Sequence, residues 1–291
     1  MRPTGPEGDE TVAVQRNVLA CVTGSILKAW QFQYQEVCLF NHDWILMALT
    51  FLPELIENLH ILEINFMIKT NIKTTAGIIL AAGMSTRMQQ LKQLVSFNGK
   101  PMLSWVMEAA LASQLKTVFI ILGHESQKII KTLALQVKRP KLQVVINPNF
   151  RQGHSSSLIC GLTQALDTHH DAVMFLLADQ PCINSSFINY LLDQFYKENK
   201  PICAPRYLGR QLNPVIFQNT FYDKLLSIKG DKGAKQLIKA HSDRVTWVDV
   251  DQSLVFMTVD TPEDLDAVRL CYRRTATTFP AGKEYHPTNR S

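Results

Sequence analysis

Cysteine is scarce in this chain and badly spaced for chemistry. The six cysteines among 291 residues (Cys21, Cys38, Cys160, Cys182, Cys203 and Cys271) include no C-x-x-C pair and no ligand-like spacing. They read as reduced thiols of a cytosolic protein, with neither a zinc site nor a disulfide framework expected. No run of five or more basic residues occurs, and basic and aromatic residues are not interleaved, so no nucleic-acid partner is expected. Long apolar runs are missing too. The strongest, "WILMALTFL" from Trp44 to Leu52, stops at Pro53, far short of the about 20 residues of a membrane span. The first residues are acidic and polar, unlike a secretory leader, so no membrane partner is expected. Glycine is sparse at 13 residues, and neither G-x-G-x-x-G nor a Walker A loop is present. That removes the dinucleotide fingerprint expected of a nicotinamide-dependent oxidoreductase.

What remains is an ordinary globular composition, 46% hydrophobic, with an uneven charge. Residues 1–66 carry three Lys/Arg against eight Asp/Glu, whereas the remainder carries 27 against 17. A basic body suits an anionic ligand. The first 66 residues also lack any strand–helix rhythm, and at Met67 the character changes. Met67 is a second candidate start; alternatively residues 1–66 form a dispensable extension. The domain is expected over 67–274, followed by a polar tail, 275–291, expected to be disordered.

Within 67–274 the pattern predicts an α/β domain: a largely parallel, Rossmann-like sheet flanked by helices. Apolar runs predict strands at Gly77–Leu80, Thr117–Leu122, Leu142–Ile146, Ala172–Ala178, Val215–Phe217, Val245–Val248 and Phe256–Val259. Stretches of helical length lie between them at Met102–Ser113, Glu125–Leu135, Ser155–Leu166 and Ser185–Tyr196. Continuous apolar runs mark strands covered on both faces. Ligands of such sheets gather beyond the strands' carboxyl ends. Three segments meet that condition: Ala81–Lys92, Asp179–Pro181 and Asp260–Pro262.

In "LAAGMSTRM", Ala81, Ala82 and Gly83 have side chains too small to cover their backbone N–H groups, and such groups at a strand-to-helix turn cradle phosphates. Arg87 and Lys92 add charge-assisted bonds to phosphate oxygens. An ordinary turn with two surface cations accounts for the same residues equally well. Asp179, in "FLLADQP", follows a wholly apolar run, which places a hard carboxylate on the rim as a magnesium ligand. The plainer reading is an Asp opening a turn before Pro181. Asp260, in "TVDTPEDL", is a second candidate carboxylate, although Asp260 or Thr261 would equally cap a helix beginning at Pro262.

These segments resemble the nucleotidyltransferases of the molybdenum cofactor cytidylyltransferase family. The resemblance rests on L-A-A-G-x-S-x-R-M-x-x-x-K, with five further pieces in order: "NPNFRQGHSSSL", "LADQP", "GRQLNPVIF", "KGDKGAK" and "TVDTPEDL". It covers roughly residues 76–273. It implies that Leu80, Ala81, Ala82, Gly83, Arg87 and Lys92 hold a nucleoside triphosphate, with Gly153 and Ser157 against its base or sugar. It implies that Arg87, Lys92 and Asp179 are catalytic and that Asp179 and Asp260 hold magnesium, or manganese. Asn213, Lys232 and Lys235 would meet the acceptor. The implied reaction moves CMP from CTP to the phosphate of molybdenum-molybdopterin, for delivery to a hydroxylase or dehydrogenase of the xanthine oxidase class. Cytidine is favoured because the guanylyl branch carries a "LAGG"-like turn. Guanylyl or sugar-phosphate transfer, or a non-catalytic cofactor chaperone, are the alternatives. Three residues depart from the family pattern: Gln89 and Leu212, each where glycine is usual, and Thr258 where an Asp is usual.

Overall fold

The computed structural model describes residues 73–88, 90–133, 139–230, 234–250 and 254–278, with side chains of the last helix to Arg274. They belong to a compact unit that begins at Lys73. The expected boundary at 66/67, the 1–66 extension, Gln89, Lys232 and residues 279–291 lie outside the described residues.

In chain order the elements are β1 (Thr75–Ala81), β2 (Ser96–Phe97), β3 (Lys100–Pro101), α1 (Met102–Ala112), β4 (Thr117–Leu122), α2 (Ser126–Thr132), β5 (Leu142–Ile146), α3 (His154–Asp167), β6 (Ala172–Leu177) and α4 (Ser185–Glu198). They continue with β7 (Ile202–Tyr207), β8 (Arg210–Gln211), β9 (Val215–Gln218), α5 (Tyr222–Leu226), α6 (Lys235–Ala240), β10 (Val245–Asp249) and α7 (Pro262–Thr278). The main sheet runs β10-β7-β9-β6-β1-β4-β5, with β8 paired to β7. β1 lies parallel to both β4 and β6, β5 pairs in parallel with β4 and β10 with β7, whereas β9 is antiparallel to β6 and β7. The expected largely parallel, helix-flanked sheet is the one observed.

Strand order reverses between β1 and β6, because β4 and β5 build outward on one side and β6 on the other. That reversal opens a crevice at the strands' carboxyl ends, where doubly wound sheets take their ligands. The turns after β1 and β6 therefore face each other across it.

Burial explains why these segments are strands. Ile78 and Ile79 are fully buried on adjacent positions, one in each of two core clusters on opposite faces of the sheet. A strand covered on both faces needs apolar residues at every position. Gly161 of α3 sets how closely one covering helix approaches: a methyl there would clash with Ile78 Cγ2 and come within 3.1 Å of Ile121 Cδ1. Overpacking of this kind costs about 1–3 kcal/mol. We expect Gly161→Ala to lower the chemical denaturation midpoint by that equivalent. Gly83→Ala, which meets nothing within 4 Å, should leave the midpoint in place.

Two strand expectations need correction. Phe256–Val259 is not a strand: a 3-10 turn spans Leu254–Phe256, and irregular chain follows. Phe256 and Val259 are buried beneath the rim, where Phe256 meets Phe187 edge to face at 5.1 Å. Conversely, β7 was not expected, since Pro205 interrupts "ICAPRY", yet it pairs with β10, β8 and β9. α7 also continues to Thr278, four residues into the segment expected to be disordered.

Candidate active site

The turn after β1 is folded back on itself by its own side chains. Ser85 takes a left-handed backbone conformation (φ 56°), uncommon outside glycine and concentrated at functional sites. Its hydroxyl accepts the Lys92 N–H at 3.1 Å. Gln93, buried directly behind the turn, donates from Nε2 to the Ala81 and Gly83 carbonyls at 2.7 and 3.1 Å. Met88 and Val259 share a third buried cluster with Phe97, Met102 and Val268. This core ties the segment carrying Arg87 and Lys92 to the one carrying Asp260.

The result is an ion cluster at the crevice. Lys92 Nζ lies 2.7 Å from Asp179 Oδ2 and 2.8 Å from Asp260 Oδ1, and Arg87 Nη2 lies 3.2 Å from Asp260 Oδ2. The sequence separations are 87 and 168 residues for the two lysine contacts, so only the fold brings these groups together. Lys92 and Asp179 are largely shielded, with side chains 17% and 20% exposed, whereas Asp260 is 36% and Arg87 69% exposed. Burial works against the Lys92 ammonium, but Asp179 and Asp260 outweigh it and hold the lysine pKa above its ordinary value. The hydrogen bond from Lys92, helped by its charge and that of Arg87, holds the Asp260 carboxyl below the usual range. Lys92 and Asp260 are therefore charged near neutrality.

Asp260 is free for this work because the helix cap falls to its neighbours. Thr261 Oγ1 accepts the Asp264 N–H at 3.2 Å, while Asp264 Oδ2 accepts the Asp260 and Thr261 N–H groups at 3.0 and 2.8 Å. This is a reciprocal capping box with Asp at its fourth position, and those backbone bonds hold Asp264 below the usual carboxylate range. The Val259 N–H donates to the Asp179 carbonyl at 2.9 Å, locking the two carboxylate-bearing segments side by side. Thr258 is exposed.

A divalent cation fits this donor set. Asp179 Oδ1 is buried without a hydrogen-bond partner, which is costly unless something charged or polar meets it. Two hard carboxylates sharing one ammonium lie close enough to share a small cation, and oxygen donors suit magnesium or manganese. Among the described residues no group of three or more His, Cys, Asp or Glu converges. The remaining positions around such an ion would fall to phosphate oxygens and water, magnesium's usual habit.

On the other side of the turn, toward β4, lies an open cleft of about 320 Å³ lined by Met84, Ser85, Thr86, Leu91, His124 and Lys128, among others. Phe150 packs against Gly123, where a Cβ would come within 2.6 Å of the Phe150 Cβ, and the His124 and Phe150 rings lie 6.1 Å apart. The loop after β5 is held by Asn147, whose Nδ2 donates to the Ser156 and Ser157 hydroxyls at 3.0 and 3.1 Å and whose Oδ1 accepts the Asn149 N–H at 2.9 Å. Gly153 enters α3 at φ 99°, a conformation that favours glycine.

The sequence-derived residues thus fall into groups. Arg87, Lys92, Asp179 and Asp260 come together in one cluster. Leu80, Ala81, Ala82 and Gly83 form the end of β1 and the turn beside it. Gly153 lies on the same rim two strands away, and Ser157 is buried, its hydroxyl turned to Asn147. Asn213 precedes β9, which runs antiparallel, so it lies two residues beyond the Phe175–Val215 pair at the same rim. Lys235 is exposed at the start of α6 and makes none of the contacts that join the cluster. Gln93 and Asn147 were not singled out from the sequence. Asn147 had a signal, since Asn-Pro opens a turn; Gln93 had none.

The sequence matches the MobA-like NTP transferase domain over residues 77–245. The chain belongs to that family. As a MobA-like nucleotidyltransferase it is 30% identical over 199 residues to the purine catabolism protein PucB of Bacillus subtilis, covering 66% of this chain and 95% of that protein. It is 29% identical over 167 residues to a probable molybdenum cofactor guanylyltransferase of Thermococcus sibiricus, covering 56% and 78%. Among solved structures, Rv0371c of Mycobacterium tuberculosis shares 25% identity at a TM-score of 0.57, covering 71% of this chain and all of that one. A complex of Rv0371c with manganese aligns over the same shares at 24% identity and a TM-score of 0.52. MobA-like transferases act on nucleotides, and the cluster lies within the matched span except for Asp260. Among the described residues no helix is long and apolar enough to cross a membrane.

Proposed function

We propose that this chain transfers CMP from CTP to the phosphate of molybdenum-molybdopterin, giving molybdopterin cytosine dinucleotide and pyrophosphate. The observation that carries the proposal is Lys92 held between Asp179 and Asp260, beside a turn of small residues at the strand-order reversal. Backbone N–H groups of the turn would receive the phosphates, and Lys92 and Arg87 would neutralise them. Asp179 and Asp260 would hold magnesium or manganese, which in such sites offsets phosphate charge and orients oxygens. An acceptor phosphate oxygen would attack the α-phosphorus, forming one P–O bond as the bond to the leaving pyrophosphate breaks. Phosphoryl-type transfer depends on positioning and electrostatics, so the cluster requires no nucleophilic side chain.

Asn213, at the rim beside β6, and the segment carrying Lys232 and Lys235 are the proposed acceptor side. The choice of cytidine is supported by the L-A-A-G turn, Leu80 to Gly83, where the guanylyl branch carries a LAGG-like one. Guanylyl transfer is the second reading, favoured by the name of the Thermococcus relative. The product would pass to an apo-hydroxylase or dehydrogenase of the xanthine oxidase class in the cytoplasm. Mass spectrometry of the product formed from molybdenum-molybdopterin with equal CTP and GTP tests the choice. Cytosine dinucleotide is expected to predominate; guanine dinucleotide alone would replace the first reading with the second.

A further inference from the structure

We propose that Gln93 is the positioning residue of the nucleotide site, the group that aims the phosphate-binding N–H donors of the turn after β1. The inference rests on the triphosphate reading above. Every polar atom of the Gln93 side chain ends in that turn: Nε2 donates to the Ala81 carbonyl at 2.7 Å and to the Gly83 carbonyl at 3.1 Å, and Oε1 accepts the Ser85 hydroxyl at 3.4 Å. The side chain is only 4% exposed. A buried amide is costly unless fully bonded, and a hydrocarbon of the same volume would fill the space without that cost. Its role is therefore geometric.

The geometry follows from peptide planarity. In a trans peptide the C=O of one residue and the N–H of the next point in opposite directions. Drawing the Ala81 and Gly83 carbonyls onto Gln93 turns the Ala82 and Met84 N–H groups away from it, out of the core. Two alternate N–H groups of the turn are thereby set to one side, where an anion could accept both. The Ser85 hydroxyl links the same amide to the Lys92 N–H at 3.1 Å. Adjacent residues thus divide the work: Gln93 faces the turn, and Lys92 faces the carboxylates.

Two variants of the full chain test this. Gln93→Met keeps the volume and removes both donors; Gln93→Glu keeps the length and regains a donor only when protonated. CTP and cytidine affinities would be compared by calorimetry and, for the weaker nucleoside, by saturation-transfer NMR. CTP affinity should fall about 10-fold or more in Gln93→Met, with cytidine affinity within about twofold of wild type. CTP affinity of Gln93→Glu should recover as pH falls. Equal loss of CTP and cytidine would mean a merely structural role, and undiminished CTP binding would mean no role; either overturns the inference. If Gln93→Met does not fold, the pH dependence of Gln93→Glu decides alone, and a flat profile overturns it. Wild-type protein that binds neither CTP nor GTP would instead sink the triphosphate reading itself.

Discussion

Lys92→Met should produce two opposite effects at once. Nucleotide turnover should fall about 10²–10³-fold, the loss typical of removing one preorganised charge-stabilising donor. Binding of Mn²⁺ to nucleotide-free protein should become tighter by about tenfold, equivalent to about 1.4 kcal/mol. Both follow from one position. The ammonium stands 2.7 and 2.8 Å from the two carboxylates, where it neutralises them and stands in the path of any cation that would bridge the same oxygens. Removing it leaves Asp179 and Asp260 facing each other with Arg87 as the paired cation among the described residues, and uncompensated, poorly solvated charge is costly. A divalent cation relieves that cost. In the wild-type protein an arriving triphosphate would offer Lys92 another anionic partner and so release the carboxylates. Electron paramagnetic resonance of Mn²⁺, with and without CTP, reads the binding directly. Weaker Mn²⁺ binding in Lys92→Met would mean that the lysine supports the cation site rather than competing for it.

The two carboxylates are not expected to be equal. Asp179→Asn should lower turnover about 10³-fold, corresponding to about 4 kcal/mol of transition-state stabilisation. Asp260→Asn should lower it only about 10-fold. Asp179 is the more shielded and keeps one buried oxygen, Oδ1, without a partner. Asp260 is more exposed and spreads its two oxygens over Lys92 and Arg87. Charge acts more strongly where water is excluded, so the deeper carboxylate should carry more. Initial rates at saturating nucleotide and metal would measure both, with thermal unfolding confirming that each variant is folded. Equal effects would place the weight on the pair as a unit rather than on Asp179.

Much of this was legible in the chain because single residues had single environments. The apolar runs of β4 and β5 had no polar interruption, and their expected limits coincide with those observed. β7 escaped because Pro205 and Arg206 break its pattern, although its neighbours bury it. Phe256–Val259 misled for the converse reason: an apolar run can be buried in a loop as readily as in a sheet, and periodicity over four residues does not tell them apart. Asp260 and Thr261 were both readable as the cap, yet only the folded chain shows that Thr261 takes it and leaves Asp260 to meet Lys92. The site is legible only where its chemistry needs unusual residues. Small residues in a turn and a carboxylate at a strand end stand out in a sequence. A buried glutamine that braces the turn does not, because its meaning lies in which carbonyls it reaches.

On the proposed reading, this cluster transfers a nucleotide. The most direct test is magnesium-dependent pyrophosphate release by protein loaded with molybdenum-molybdopterin, with CTP and GTP compared in wild type and Asp179→Asn. Release driven by CTP, dependent on the acceptor and nearly abolished in the variant, is the predicted result. No release with either nucleotide, despite tight binding of the pterin, would contradict it and leave the chain a carrier of the cofactor.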